Sequence, residues 1–149
     1  MKLAKALRVK NKLVKEISEL QELISQNNSY NESNPPKWDV NKLMLQLYDK
    51  KHKLIELKTK ISTANVKIAN EIHQMEELKG DITFLKGIET KDGKFPLLSY
   101  SDTVIREEKY IATLDALMVN KLVTDSQEKV DAIQDKLNEF NYNTEIDFS

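Results

Sequence analysis

Acid–base or metal chemistry in these 149 residues would have to run through two histidines and the carboxylates near them. His52 follows Asp49 by three residues and precedes Glu56 by four, which puts all three on one helix face. His73 lies close to Glu76 and Glu77. A dimetal site in a helical bundle needs a Glu-x-x-His pair from each of two helices, plus further inward carboxylates. Asp49-Lys50-Lys51-His52 supplies at best half of that pattern, and the residue three before His73 is Asn70. The ordinary reading of both clusters is a solvated helix face with partners three or four residues away. No His-Glu-x-x-His occurs, and glycines only at 80, 87 and 93 cannot form a phosphate-cradling loop. No serine has a nucleophile-elbow setting. Without cysteine there is no disulfide framework, thiolate site or cysteine nucleophile. The expectation is a non-enzyme with no catalytic residue, no metal, no cofactor and no small-molecule substrate.

The elements that carry these residues are mainly helical. Only 3 Gly and 3 Pro leave little turn chemistry for a many-stranded fold. Leu3, Leu7, Leu13, Val14, Ile17, Leu20 and Ile24 recur at helical spacing, which predicts a helix over about Lys2–Gln26. Asn27 to Pro36 then form a loop, because Asn and Ser compete for backbone hydrogen bonds and the two prolines exclude helix before them. Asp39 is positioned to cap a second helix, whose stripe of Val40, Leu43, Met44, Leu47, Leu54, Leu57 and Ile61 runs to about Ser62. A turn is expected at Ser62-Thr63-Ala64-Asn65. There Asn65 is either a turn residue whose amide satisfies helix-end carbonyls or a ligand contact. A third helix follows Ile68, Ile72, Met75, Leu78, Ile82, Leu85 and Ile88 across Gly80 and ends at Lys91-Asp92-Gly93. Residues 94–114 lose the helical period. A short β-hairpin is expected there, with strands at Phe95–Tyr100 and Lys109–Leu114, and with Asp102–Glu107 as its loop. The last helix is capped by Thr113 or Asp115 and follows Val119, Leu122, Val123, Ser126, Val130, Ile133, Leu137 and Phe140 to about Asn141. The fold class is therefore all-α: an antiparallel long-helix bundle, residues 1–149 as one domain, with a short hairpin at about 95–114.

Charge is balanced overall but divided along the chain. Met1–Ala64 holds 13 basic and 7 acidic residues, whereas Asn65–Ser149 holds 10 basic and 17 acidic. Complementary packing between helices, within the chain or between subunits, accounts for this division. Only Arg8 and Arg106 are arginine, so the planar forks that grip phosphate are scarce and sequence-specific nucleic-acid binding is not expected. Lys2, Lys5, Arg8 and Lys12 flank a leucine face and are candidates for contact with a membrane surface. Charges recur through the first fifteen residues, so no secretory h-region is read there, and a cytoplasmic location is expected. No apolar run approaches the roughly 18–20 residues of a membrane span.

Phe140, Tyr142, Ile146 and Phe148 are too many large apolar groups for a free tail. They should pack back onto the helices or onto a neighbouring subunit.

Three segments resemble a known family. The opening Met1-Lys2-Leu3-Ala4-Lys5-Ala6-Leu7, the segment Ile61-Ser62-Thr63-Ala64-Asn65, and the run from Thr113-Leu114-Asp115 to Asn141-Tyr142 are similar to the septicolysin-like proteins, small bacterial helical proteins largely without established function. The resemblance implies the helical fold and a tendency to assemble, and through the family's name a haemolysin. The chain departs from the family at Gly80-Asp81 and at Asp131 and Gln134, where the family often has Arg-Asp and an Arg followed three later by Asp. The leading expectation is a self-associating, homo-oligomeric helical protein acting through protein–protein contacts. The alternative is a membrane-active cytolysin using the basic first helix or the hairpin.

Overall fold

A computed structural model describes residues 1–149, and its packing divides them into two compact units: Met1–Ala69 with Leu137–Ser149, and Asn70–Lys136. The element order is α1 (Leu3–Asn27), α2 (Val40–Asn65), a 3-10 turn (Val66–Ile68), α3 (Ala69–Lys86), β1 (Gly93–Leu98), β2 (Val104–Tyr110) and α4 (Ala116–Asn143). The expected class is what the structure shows: helices, with one small antiparallel hairpin.

In the first unit α1 and α2 pair antiparallel. Leu3, Ala6 and Leu13 of α1 meet Leu57 and Ile61 near the end of α2, while Ile17 and Leu20 meet Leu43 and Leu47 near its start. These positions recur at three- and four-residue steps, so one side of each helix is removed from water. Glu16 and Lys50 join the pair midway, with Nζ 2.6 Å from Oε2. Asp39 caps α2 as expected, its carboxylate accepting from the amides of Asn41 and Lys42 at 3.0 and 3.4 Å. In the connecting loop, Asn31 Oδ1 accepts from the Ser33 amide at 3.0 Å and its hydroxyl at 2.7 Å, a local alternative to helix.

The chain after α2 departs from expectation. No turn forms at Ser62–Asn65; the helix continues to Asn65 and the backbone stays right-handed through Asn65 (φ −69°, ψ −14°) and Ala69 (φ −60°, ψ −38°). Neither glycine nor proline occurs between Val40 and Lys79, so nothing in the local chemistry forces a break.

In the second unit α3 passes through Gly80 without interruption and buries Met75 and Ile82. It stops at Lys86, earlier than expected, where Gly87 and Ile88 donate to the carbonyls of Phe84 and Leu85 at 3.0 and 3.2 Å. Within this unit α4 contributes Val119, Val130 and Ile133 to the buried set. Its cap is Asp115, whose carboxylate accepts from the Met118 amide at 2.8 Å.

The hairpin lies close to where it was expected, but β2 sits earlier. It spans Val104–Tyr110, and Ile111–Leu114 fall outside it. Register decides this: Gly93 faces Tyr110, Phe95 faces Glu108 and Leu97 faces Arg106, with an irregularity between Leu97 and Leu98. The turn is Ser99–Thr103, closed by the Ser99 amide donating to the Thr103 carbonyl at 2.8 Å. Asp102 there adopts φ 58°, a left-handed conformation that Asp tolerates better than most residues. Gly93 begins β1 at φ 105°, where a side chain would be strained.

Candidate functional site

The histidine clusters are exposed helix faces. Asp49 pairs with Lys53 at 3.1 Å and Glu56 with Lys60 at 2.8 Å, so both carboxylates turn to lysines four residues on. His73 Nδ1 lies 3.3 Å from Glu76 Oε2. No three His, Asp or Glu side chains gather around a common point.

The tail residues separate. Ile146 is buried, 7% exposed, among Leu3, Ala6, Leu57 and Ile61, and Phe140 and Phe148 pack against the same cluster. Tyr142 instead stands in solvent at 72% exposure. Backbone bonds fix the arrangement. The Leu3 amide donates to the Thr144 carbonyl at 2.8 Å, the Ile146 amide to the Met1 carbonyl at 2.8 Å, and the Met1 amine to the Ile146 carbonyl at 2.9 Å. Lys2 meets Glu145 at 3.1 Å, which holds that carboxyl below its ordinary range. Lys60 donates to the Asp147 carbonyl and its Nζ lies 5.8 Å from the centre of the Phe148 ring.

Lys2, Lys5, Arg8 and Lys12 are all exposed, but the apolar side they flank is packed against α2 and the tail. Lys12 also pairs with Glu16 at 3.7 Å. Asn65 is the partly buried last residue of α2, right-handed where the 3-10 turn begins, and makes no capping hydrogen bond through its side chain.

Two concave features lie within the second unit. A groove of about 600 Å³ runs between α3 and α4, floored by Leu78, Ala132 and Ile133, with Glu77, Asp81 and Lys129 on its rim. At the base of the hairpin, the rings of Phe95 and Tyr110 meet edge to face with centroids 5.9 Å apart. The Lys91 ammonium lies over both, 4.5 and 4.2 Å from their centres. Tyr110 also donates to Glu108 at 3.0 Å, and Arg106 reaches the same carboxylate at 2.9 Å. Those two donors hold the Glu108 carboxyl below its usual range, the tyrosine bond first, while the same bond raises the Tyr110 phenol.

A second stripe on α2 escaped the sequence reading. Leu45, Tyr48 and Ile55 are 71%, 52% and 63% exposed, on the side opposite the buried Leu43, Leu47, Leu57 and Ile61. The signal was present as another three-and-four repeat in the same helix, hidden because the inward stripe alone satisfies the helical period.

Comparison with known proteins adds the fold and no activity. No family pattern matches the chain, and no curated protein matches it. One solved structure is similar over its whole length: the crystal structure of a functionally unknown conserved protein from Corynebacterium diphtheriae, 18% identical over 98% of both chains, with a TM-score of 0.80. That likeness establishes a shared architecture. No helix is long and apolar enough to cross a membrane.

Proposed function

We propose that the protein acts by self-association through its helix faces, without catalysis, as a homo-oligomer in the manner that the septicolysin-like resemblance implies. The observation that carries this reading is the line of large apolar side chains left in water on α2, opposite the side that packs on α1. Scattered exposed apolar residues are ordinary, but several large ones sharing one face of a helix are the grouping that marks an interaction surface. The division of charge, basic before residue 65 and acidic after it, supplies complementary surfaces for such contacts.

A cytolytic role is the weaker reading. The apolar side of α1 is occupied by α2 and the tail, so entry into lipid requires that pair to come apart. The hairpin strands are 6 and 7 residues long, short of the roughly 9–11 a spanning strand needs. Mass-resolved size exclusion followed by dye release from anionic vesicles tests the choice. A stable oligomer without release is expected. Assembly only on vesicles, with release of dye, overturns it.

A further inference from the structure

The outward side of α2 has more order than an apolar patch. From Leu45 through Tyr48, His52, Ile55 and Thr59 to Ser62 the steps alternate three and four, and Val66 continues the series. This is the a/d spacing of a heptad repeat, with Leu45, His52 and Thr59 at a and Tyr48, Ile55 and Ser62 at d, apolar at Leu45, Tyr48 and Ile55, and with Val66 following in the 3-10 turn. The inward contacts of α2 fall at the other positions, so both seams coexist on one helix. Within α2, from Leu45 to Ser62, the outward seam is about 26 Å long at 1.5 Å per residue.

The flanks identify the occupant. Asp49 and Glu56 occupy the e positions, and Lys51 and Lys58 the g positions. When two copies of a coiled-coil helix run parallel, a g residue of one faces the following e residue of the other. Lys51 then meets Glu56 of the second copy, twice by symmetry. Run antiparallel, the same helices set g against g and e against e, which places lysine on lysine and carboxylate on carboxylate. Lys51 and Lys58 make no ion pair within the chain, and Glu56 engages Lys60 through Oε1 alone, leaving its second oxygen open. Polar His52 and Thr59 at a positions fit a two-stranded contact, where polar a residues set register at a cost in stability.

We propose that the outward face of α2 is the contact of a parallel, two-fold symmetric dimer of this chain. The proposal rests on the self-association reading above and specifies its surface, partner and direction.

The chain has no cysteine, so a single introduced thiol can link only one copy to another. Tyr48→Cys and Ser62→Cys place thiols about 21 Å apart along the helix, both in the seam. Disulfide geometry demands Cα atoms within about 7 Å. In a parallel dimer each variant cross-links by itself under mild oxidation. Lys51→Glu should weaken the dimer about tenfold in sedimentation equilibrium, since two attractions become two repulsions, and adding Glu56→Lys should restore it. If Tyr48→Cys does not link by itself but links when mixed with Thr59→Cys, a d position opposite an a position, the helices run antiparallel and the proposal fails. If the protein is a dimer but neither variant links and Ile55→Glu leaves its mass unchanged, the α2 seam is refuted while self-association stands. A monomer at every concentration overturns both readings. Far-UV circular dichroism of each variant checks that its helix content matches that of the unsubstituted chain.

Discussion

Ile146→Ala isolates what the returning tail contributes to the α1–α2 pair. The side chain is 7% exposed and sits in a cluster with Leu3, Leu57 and Ile61. The change removes three carbons beyond Cβ, which at about 0.8 kcal/mol per buried group costs about 2.4 kcal/mol. A residual cavity raises that toward about 4 kcal/mol if α1 and α2 do not close over it. For a chain of this length the lower figure lowers Tm by about 5–10 °C. Tyr142→Ala, at 72% exposure on the same tail, is the internal control and should change stability by no more than about 0.5 kcal/mol. The assay is urea unfolding followed by circular dichroism at one fixed protein concentration, read as the midpoint with the slope compared between variants. Equal midpoints for the two variants would show that the tail does not hold Ile146 in the core, and the packing argument for the tail would fail.

Other perturbations have equally definite outcomes. Asp39→Ala removes the cap from the Asn41 and Lys42 amides and should cost about 1 kcal/mol in the same urea assay, with Asp39→Asn retaining most of it. Glu16 is held below its ordinary value of 4.5, chiefly by the hydrogen bond from Lys50, so its contribution is present above that value and lost as pH falls through its folded pKa. Urea midpoints should therefore fall as pH is lowered past about 4.5, less steeply in Glu16→Gln, and identical slopes would show that the pair contributes nothing. Lys91→Ala takes the ammonium away from the Phe95 and Tyr110 rings and should speed amide exchange in Gly93–Leu98 and Val104–Tyr110 by about twofold to fivefold, as expected for roughly 0.5–1 kcal/mol. Unchanged protection there would mean that backbone register alone holds the hairpin.

The parts of the fold legible in the sequence are those where local chemistry and burial agree. Asp39 is both a good capping residue and the first polar residue before an apolar stripe, and α2 starts there. Leu3, Leu13, Ile17 and Leu20 keep one helical face, and that face is buried. The second strand was misplaced because alternation at Lys109–Leu114 is a single-chain pattern, whereas strand position is set by pairing. Once Gly93 faces Tyr110, residues beyond 110 have no strand partner, and the Ala112 amide donates instead to the Asp92 carboxylate at 2.9 Å. The misread turn at Asn65 has a similar origin. Asn favours caps and turns through its own hydrogen bonds, but the helical residues on both sides outweigh that local preference.

If the outward side of α2 joins two copies as proposed, the tail and the dimer are coupled through one helix, and that link can be measured. A ligand that binds only the folded chain stabilises it by about 2.7 kcal/mol when present at about 100 times its dissociation constant, and a second copy is such a ligand. That figure is close to the loss expected for Ile146→Ala. The tail packs on the inward side of α2 while the seam from Leu45 to Ser62 faces outward, so the substitution weakens the fold without touching the proposed dimer contact. Raising the concentration of the Ile146→Ala protein through the dimerisation range should bring its Tm up to that of the unsubstituted chain held dilute. In the Ile55→Glu background, where the seam carries a charge, the Tm should no longer respond to concentration. A response of the same size in that background would place the self-association elsewhere on the molecule, because any contact between folded copies makes Tm depend on concentration and the charge at position 55 disrupts only one made through α2.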